Sequence, residues 1–396
     1  MNNRHRLVRL ALAPVLVLAA ACGGNDSDGA GGGEPVITLG GIFPLTGGIA
    51  SLGQSMANGT NIAIKEINDA GGIEIDGRRH RLAMDTCDDE GTAEAAIACA
   101  RRLAADGPPA IITLGTYAAL PMLGFNERDG YVLLAASSVP ELTERGNKLV
   151  MRIVHKTSDS VPNLAASTAK HYEEGSAEVT NAVALRVNTD LGAEWVEAFR
   201  NGWQKAGKVA DKVIDYDQNA TDFSPQVGAA LNSDPDVIAF SAGCKPTAIF
   251  INQAIQQGYD GKFVFGSPCA DLPTLTPLLD DIEVLEDAVL EVTPWTLGGP
   301  EVERVRDAIQ REYGGEPEWV AGLGYDGLRV LARAIELAAS SSDPQQIHDR
   351  LPDALTELRS ELLMGAQQMD PETGDTTFKT SAAAYQQGEL VEIDAG

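Results

Sequence analysis

The sequence predicts an α/β protein built from two doubly wound lobes, each with a parallel sheet, and two observations lead to this prediction. From Val36 onward, short apolar runs alternate with segments whose apolar residues recur at i, i+3 and i+4, as in strands followed by helices. Strongly apolar strands alternating with helices indicate parallel sheets covered on both faces. This rhythm occurs twice, and about 360 residues follow the first 35, enough for two domains of ordinary size.

The first series of elements predicts one lobe, comprising residues 36–157 and 294–379. Its strands are VITLGGIF, RRHRLAMDT, AIITLG and YVLLAASS. Its helices are MANGTNIAIKEINDAGG, which glycines close, and TAEAAIACARRLAADG. Between the last two strands, YAALPMLGFNERDG is predicted to form a proline-bent helix. The returning segments GPEVERVRDAIQREYGG and VAGLGYDGLRVLARAIELAASS are also predicted to be helical.

The second series predicts the other lobe, comprising residues 158–293 and 380–396. Its strands are NAVALRVN, GKVADKVIDY, VIAFSAG, KFVFGSP and AVLEVTPW. The helices between them are DLGAEWVEAFRNGWQKAG, DFSPQVGAALNS and PTAIFINQAIQQG, and FKTSAAAYQQGELVEI returns to short strands.

The N-terminal residues 1–21 are predicted to be a signal peptide, because arginines precede an apolar run of about a dozen residues that ends in alanines. That run is too short to span a membrane, which takes about 20 residues. Residues 22–35 are predicted to be a flexible, glycine-rich tether. Cys22 at the cleavage point resembles the lipidated cysteine of bacterial lipoproteins, although Ala19 stands where leucine is preferred. An ordinary signal peptide with an incidental cysteine is the alternative, and both place the protein outside the cytoplasmic membrane.

The mature chain is strongly acidic. The formal net charge is −27, from 30 basic and 57 acidic residues, and it becomes −30 when the three arginines of the leader are removed. The mature chain has no basic patch, so nucleic acids and anionic lipid surfaces are poor partners.

Four cysteines remain after Cys22, namely Cys87, Cys99, Cys244 and Cys269. An even number in an oxidising compartment favours disulfides over reduced, buried thiols, although three pairings are open. Cys244 and Cys269 follow two apolar strand runs by three and two residues. If those strands are parallel neighbours, the two cysteines lie about 5 Å apart, within disulfide reach. Cys87 with Cys99 is then the second pair. The chain has no CxxC, zinc spacing or HExxH, so no metal site and no cofactor are predicted.

Ligands of parallel α/β sheets bind outside the carboxyl ends of the strands, and three loops lie at such ends. They are PLTGGIASLGQ, Gly115-Thr116-Tyr117 and Ala136-Ser137-Ser138. Small residues and hydroxyls dominate these loops, and backbone amides with the hydroxyls of Thr116 and Ser138 suit a carboxylate. Such residues also cap helices in any α/β protein, but here they follow successive strands of one lobe.

Three longer stretches carry a resemblance to a known family, namely LGGIFPLTGGIASLGQSMANGTNIAIKEINDAGGI, DTCDDEGTAEAAIACARRLAADG and SSVPELTERG. The chain resembles the leucine/isoleucine/valine-binding family, the type I periplasmic binding proteins of ABC importers, over essentially its whole mature length. The resemblance implies two lobes joined by three hinge crossovers, closing on a small ligand in the cleft. It implies ABC permease membrane subunits as partners. The protein is expected to be a monomer that touches the membrane only through its lipid anchor.

Residue by residue, the resemblance places the carboxylate-binding positions of the family on Thr116, Ala136 and Ser138. The aromatic residue that covers the ligand falls on Leu52, and the tyrosines of the second lobe fall on Leu191 and Cys244. Tyr117 and Ser137, beside these positions, complete this part of the predicted site.

The acid that pairs with the ligand ammonium in the family falls near Pro268 or Cys269, neither of which is acidic. Asp271 is the nearest acid, and Asp190 is a second candidate. An unpaired buried ammonium costs several kcal/mol. If neither aspartate supplies the charge, the ligand is expected to be a carboxylate without an α-amine.

The remaining aromatic residues and histidines have simpler interpretations. Trp195, like Trp203 and Tyr313, is predicted to pack within its amphipathic helix. Trp295 and Trp319 are placed where they could either pack or line the cleft. His155 is predicted to be structural or exposed.

These residues are compatible with more than one function. A lipid-anchored binding protein that delivers an apolar amino acid or similar carboxylate to a permease fits best. A sensor that reports its ligand to a separate membrane receptor would use the same fold. An enzyme is not expected, because the chain has no GxSxG elbow, P-loop or paired carboxylates at a credible spacing.

Overall fold

The computed structural model describes residues 34–175, 179–217 and 220–393. The predicted signal peptide, Cys22 and nearly all of the tether lie outside the described residues. Both sheets belong to one compact unit of the chain.

The first sheet has the strand order β2-β3-β1-β4-β5-β6. Its strands are β1 (Val36–Phe43), β2 (Ile73–Ile75), β3 (Arg78–Asp88), β4 (Ala110–Leu114), β5 (Val132–Ala136) and β6 (Val150–Arg152). All neighbours are parallel except β2, which forms an antiparallel hairpin with β3. The parallel strands β4 and β5 are buried almost throughout, as expected for a sheet with helices on both faces.

The second sheet has the order β15-β14-β11-β10-β9-β7-β8. Its first strands are β7 (Asn181–Val187), β8 (Val209–Tyr216), β9 (Val237–Phe240), β10 (Lys262–Phe265) and β11 (Val289–Val292). A separate hairpin, β12 (Gln368–Met369) with β13 (Thr376–Thr377), precedes the antiparallel edge strands β14 (Ser381–Gln386) and β15 (Glu389–Ile393).

Fourteen α-helices in the described residues cover the sheets: α1 (Ala50–Asp69), α2 (Ala93–Ala104), α3 (Thr116–Met122), α4 (Asn126–Asp129), α5 (Glu141–Glu144), α6 (Thr157–Glu174), α7 (Asp190–Lys205), α8 (Ser224–Leu231), α9 (Cys244–Gln256), α10 (Leu272–Leu275), α11 (Pro294–Leu297), α12 (Pro300–Tyr313), α13 (Val320–Ala338) and α14 (Pro344–Leu358). The helices α1 and α13 pack closely because a Cβ at Gly59 would collide with the backbone oxygen of Ala321. None of these helices is long and apolar enough to cross a membrane.

The element order takes the chain between the two sheets three times, after β6, after β11 and before β14. The first and third passages are bonded to each other. Arg152 is fully buried and donates from Nε to Asp375 Oδ1 at 2.7 Å, and Lys156 Nζ lies 2.7 Å from Asp375 Oδ2. The predicted fold class, two parallel-sheet lobes with three crossovers, is confirmed, while the exact lobe boundaries stay a prediction.

The prediction of a single proline-bent helix between β4 and β5 is wrong. The structure has two short helices there, α3 and α4. Pro121 lies in the last turn of α3, and Gly124 follows its C-cap at Leu123. Proline removes a backbone donor and glycine gains little from a helical conformation, so the helix ends rather than bends.

The structure contains two disulfides. One joins Cys87 of β3 to Cys99 of α2, with their Cα atoms 5.7 Å apart. The other joins Cys244, the first residue of α9, to Cys269, with their Cα atoms 4.6 Å apart. The strands before Cys244 and Cys269, β9 and β10, are parallel neighbours, which is the arrangement on which the predicted pairing depended.

Candidate ligand-binding site

A cavity of about 540 Å³ lies at the carboxyl ends of the parallel strands of both sheets. Small-molecule sites commonly measure about 300–1,000 Å³. Eight of the ten predicted ligand-binding residues line the cavity: Leu52, Thr116, Tyr117, Ala136, Ser138, Asp190, Leu191 and Cys244. Loops from both lobes therefore meet around one space of the right size for a small ligand.

The wall formed by the first sheet is held by hydrogen bonds between neighbouring loops. Gly115, with φ +102°, turns the chain out of β4 in a backbone conformation that favours glycine. Its N–H donates to the oxygen of Ala136 at 3.0 Å. Thr116 Oγ1 lies 2.9 Å from Ser137 Oγ. These contacts fix the loops after β4 and β5 relative to each other.

Tyr117 is anchored behind this wall by a buried acid. Its hydroxyl donates to Asp89 Oδ1 at 2.9 Å, and the N–H of Gly91 donates to the same oxygen at 2.9 Å. Burial raises the pKa of Asp89 to about 6. Burial, followed by the neighbouring Asp89, also raises the pKa of Tyr117, so the phenol stays protonated and its ring is held in place.

The wall formed by the second sheet carries a buried acid that sequence reasoning missed. Glu291 lies on β11, lines the cavity and is 1% exposed. Its Oε2 accepts the N–H of Ser267 at 2.9 Å. Its Oε1 is buried and has no hydrogen-bond partner among the described residues.

His155 faces this carboxyl group from the first passage between the sheets. Its Nε2 lies 3.3 Å from Glu291 Oε1 and 3.2 Å from Ser267 Oγ. Burial lowers the pKa of His155, and the attraction of Glu291 only partly opposes this. The imidazole is therefore neutral at neutral pH, because a low-dielectric surrounding disfavours its charged form.

Two predicted site residues lie outside the cavity lining. Ser137 is 1% exposed and supports Thr116 from behind. Asp271 is also 1% exposed, but its oxygens face Arg306 Nη2 at 3.4 Å and the hydroxyl of Thr274 at 2.7 Å. Asp271 already has a counter-charge within the protein.

The aromatic residues and His155 differ in part from expectation. Trp195 does pack, stacking on Phe199 with ring centroids 5.4 Å apart, but it also lines the cavity. Trp319 lines the cavity, whereas Trp295 is fully buried in the core. His155, predicted to be structural or exposed, lines the cavity as well.

One signal in the sequence pointed to Glu291, since an acid inside the apolar run AVLEVT is unusual for a buried strand.

In the part of the chain that the structure describes, no group of three or more His, Cys, Asp or Glu residues is placed to hold a metal ion.

The family model described as periplasmic binding protein matches residues 36–389. The chain belongs to this family. Periplasmic binding proteins of ABC transporters bind small-molecule ligands and permease components, and the family suggests a location outside the cytoplasm. The resemblance predicted from the sequence is confirmed.

Comparison with individual proteins supports the leucine/isoleucine/valine-binding type. The chain is 26% identical over 207 residues to the Leu/Ile/Val-binding protein BraC3 of Rhizobium johnstonii. That alignment covers 52% of this chain and 54% of the relative, so the chain spans about half the length of that relative.

Two solved structures share the fold over nearly the whole chain. One is the branched-chain amino acid transporter substrate-binding protein LivJ of Streptococcus pneumoniae in complex with isoleucine. The TM-score is 0.74 and the identity 18%, and the match covers 91% of this chain and 99% of LivJ. The other is a solute-binding protein of an ABC transporter from Rhodopseudomonas palustris in complex with 3,4-dihydroxybenzoic acid, with a TM-score of 0.76, 20% identity and coverage of 91% and 96%. At these identities the likeness shows the fold. Of the two ligands, isoleucine carries an amine and 3,4-dihydroxybenzoic acid does not.

Proposed function

We propose that the protein is a lipid-anchored, extracytoplasmic substrate-binding protein that captures a small, apolar carboxylate-bearing solute and delivers it to an ABC permease. A branched-chain or other apolar amino acid is the preferred ligand. One observation carries the proposal, namely the cavity of about 540 Å³ that residues of both sheets line together.

The wall formed by the first sheet suits the carboxylate of such a ligand. Thr116, Ala136 and Ser138, on which the resemblance places the carboxylate-binding positions of the family, all line the cavity. Hydroxyls and backbone N–H groups bind an anion without a counter-charge when they are fixed in advance. The hydrogen bonds between Thr116 and Ser137 and between Gly115 and Ala136 provide that fixing.

The apolar part of the ligand would contact side chains from both lobes. Leu52 and Leu323 line the cavity from the first lobe, and Val161 and Leu191 line it from the second. Contacts with both lobes stabilise a closed arrangement more than an open one, so binding is expected to close the lobes.

A carboxylate without an amine is the second candidate, because a solved structure of the same fold holds 3,4-dihydroxybenzoic acid. The position near Pro268 and Cys269, which is acidic in the family, also lacks an acid here.

The test is a thermal-shift screen of a soluble form beginning at Glu34. The panel comprises the twenty amino acids, aliphatic and aromatic carboxylates, and small amides. A ligand that binds only the folded state stabilises it by about 2.7 kcal/mol at a hundredfold excess over Kd. A shift with any apolar carboxylate supports the proposal, and a panel without any shift contradicts it. For a ligand that binds, small-angle scattering is expected to show a smaller radius of gyration in its presence.

The anchor is tested separately in the full-length chain. Cys22→Ala is expected to release the protein from the membrane fraction, and an unchanged membrane fraction would contradict lipidation at Cys22.

A further inference from the structure

Arg152 is a fully buried arginine at the end of β6, where the chain first leaves the first sheet. It does not line the cavity, but its guanidinium contacts a loop that does. An arginine is rarely buried completely unless it is paired. A buried ion pair is often no more stabilising than apolar side chains of the same volume. Stability alone therefore does not account for an arginine at this position.

The three nitrogen atoms of the guanidinium donate to three different segments of the chain. Nε donates to Asp375 Oδ1 on the third passage at 2.7 Å, and Nη2 donates to Thr143 Oγ1 on α5 at 3.1 Å. Nη1 donates to the backbone oxygen of Ser137, in the loop after β5. A lysine carries the same charge on a single nitrogen and cannot reproduce this rigid fork.

The bond to Ser137 acts on a peptide group that reaches the cavity. The oxygen of Ser137 and the N–H of Ser138 belong to one planar, trans peptide, in which they point in opposite directions. Ser138 lines the cavity. A charged donor on the oxygen fixes the plane of this peptide and polarises it, because hydrogen bonds in series strengthen each other. Arg152 therefore orients a peptide whose other end lies in the wall formed by the first sheet, the first wall.

The passages between the sheets are bonded to the same place. The N–H of Thr157, on the first passage, donates to the oxygen of Ser138 at 3.2 Å. On the third passage, Thr376 Oγ1 donates to the backbone oxygen of Arg152 at 2.6 Å, and the oxygen of Gly374 accepts the N–H of Arg152 at 2.9 Å. The loop of the first wall, the first passage and the third passage thus meet at Arg152.

Asp375 holds the guanidinium from the third passage as a charged group. Burial opposes its ionisation, but the bonds to Lys156 and Arg152 outweigh burial and hold the pKa of Asp375 below its usual value. Lys156 Nζ lies 2.7 Å from the second carboxylate oxygen. One carboxylate therefore joins two cations of the first passage to the third.

We infer that Arg152 is a positioning residue for ligand binding, which fixes the peptide between Ser137 and Ser138 in the first wall and couples it to the third passage through Asp375. This inference rests on the proposed function and deepens it, because it assigns a side chain outside the cavity to the shaping of the carboxylate-binding wall. Such coupling is reciprocal, so a ligand that binds the loop also stabilises the contacts of the third passage.

Hydrogen exchange followed by mass spectrometry tests the positioning in the soluble form of the protein, without any ligand. The variant Arg152→Lys keeps the charge and loses the fork. The N–H groups of Gly115 and Thr157 report on the loop, since they donate to the oxygens of Ala136 and Ser138. Their exchange is expected to become about tenfold faster, the factor that corresponds to the loss of one hydrogen bond to a charged group. Strands β9 and β10 of the second sheet should keep their wild-type rates.

Isothermal titration calorimetry then measures the Kd of a carboxylate. The probe is L-leucine, or the carboxylate with the largest thermal shift in the panel if L-leucine does not bind. Arg152→Lys and Asp375→Asn are each expected to raise Kd about tenfold, although neither side chain lines the cavity. In the wild type the probe should also slow hydrogen exchange in the hairpin of β12 and β13, and Arg152→Lys should lose this slowing.

Thr143→Val is a milder variant that keeps the test valid if Arg152→Lys does not fold. It removes one acceptor of the guanidinium and keeps the shape of the side chain, and it is expected to raise Kd about threefold. Thr168→Val is the matched control, since Thr168 is also buried but its hydroxyl donates to the oxygen of Leu164 within α6 at 2.7 Å. This control should change neither the exchange of the loop nor Kd. Circular dichroism and Tm confirm that each variant is folded.

Three outcomes would overturn the inference. One is wild-type exchange at Gly115 and Thr157 in a folded Arg152→Lys protein or, if that protein does not fold, in Thr143→Val. Another is exchange that is faster by the same factor in both lobes, which is a general loss of stability. The third is faster exchange in the loop with an unchanged Kd. A wild type that binds no compound of the panel would contradict the proposed function, whereas the exchange measurement needs no ligand and reports on Arg152 separately.

Discussion

The two walls of the cavity differ in charge. Among the described lining residues, the wall built on the first sheet has no Asp, Glu, Lys or Arg, and presents glycines, hydroxyls and apolar side chains. The wall built on the second sheet contributes Asp190, Lys245 and Glu291, together with Cys244 of a disulfide.

This difference matches the two ends of a zwitterion. An anion can be held on the first wall by fixed hydroxyls and N–H groups. A cation needs the charge that only the second wall has. A ligand with both groups would therefore contact both walls, and such a ligand gains most from their approach.

The largest effect is expected from breaking the ion pair between Asp271 and Arg306. In Arg306→Met, Asp271 stays buried without a counter-charge, and the free energy of unfolding is expected to fall by about 3–5 kcal/mol. Urea unfolding measures this change. Adding Asp271→Asn should restore part of the loss, because the orphaned charge is then removed. An equally stable Arg306→Met protein would show that Asp271 does not depend on this pair.

The two disulfides allow a direct comparison between a bond in the cavity wall and one outside it. Replacing either pair by serines is expected to lower the free energy of unfolding by about 2–4 kcal/mol. Only Cys244→Ser with Cys269→Ser should also weaken ligand binding, because Cys244 lines the cavity and its partner follows Ser267 and Pro268.

Cys87→Ser with Cys99→Ser is the control, since that pair joins β3 to α2 and neither cysteine lines the cavity. Calorimetry on both double variants gives the comparison. Equal losses of affinity would show that the effect is one of general stability.

The first wall is tested by removing the hydroxyls of Thr116 and Ser138. Each of Thr116→Val and Ser138→Ala is expected to weaken binding of a carboxylate ligand by about 1.5–3 kcal/mol, the value of a hydrogen bond to a charged group. Thr221→Val, at an exposed position outside the cavity, is the matched control. Unchanged Kd values in both wall variants would mean that the carboxylate binds elsewhere.

The last comparison concerns Glu318, an acid that lies next to Trp319 but does not line the cavity. Burial raises the pKa of Glu318 to about 7. A carboxyl pKa raised by folding adds stability at pH values below its unfolded pKa, and this stability is lost as the pH rises through about 7. The free energy of unfolding of the wild type should therefore fall between pH 5 and 8, by at most about 1.4 kcal/mol per pH unit from this group.

In Glu318→Gln this part of the pH dependence should disappear, which urea unfolding at several pH values measures. Asp326, whose pKa burial also raises to about 7, contributes in the same direction and remains in the variant. Identical slopes for the two proteins would exclude a contribution from Glu318.

The elements that sequence reasoning found are those with a strong apolar period. The runs AIITL and YVLLA are continuous and apolar, and they form β4 and β5. The elements that it missed are short or irregular. Helix α6 contains Pro162 and begins with polar residues, and α14 contains Pro352. Such helices depend on packing rather than on local pattern.

The residues of the candidate site also fall into those that the sequence predicts and those that it misses. Thr116, Ala136 and Ser138 follow their strands directly, so the rule that ligands bind at the carboxyl ends of parallel strands was enough to find them. The position of Asp271 near Pro268 in the sequence predicts a site residue, but the fold pairs Asp271 with Arg306 from a distant helix. Glu291 is 24 residues from Ser267, and only the pairing of β10 with β11 brings them together.

By itself, the sequence determined the two-lobed α/β fold, the family, the loops of the first wall and the cysteines that pair. These depend on periodicity and on residues close in the chain, where the physical causes are local. Only the tertiary structure decided which acid is neutralised and which is left facing the cavity. That choice depends on burial and on partners brought from far along the chain, because the cost of a charge is set by what surrounds it in space.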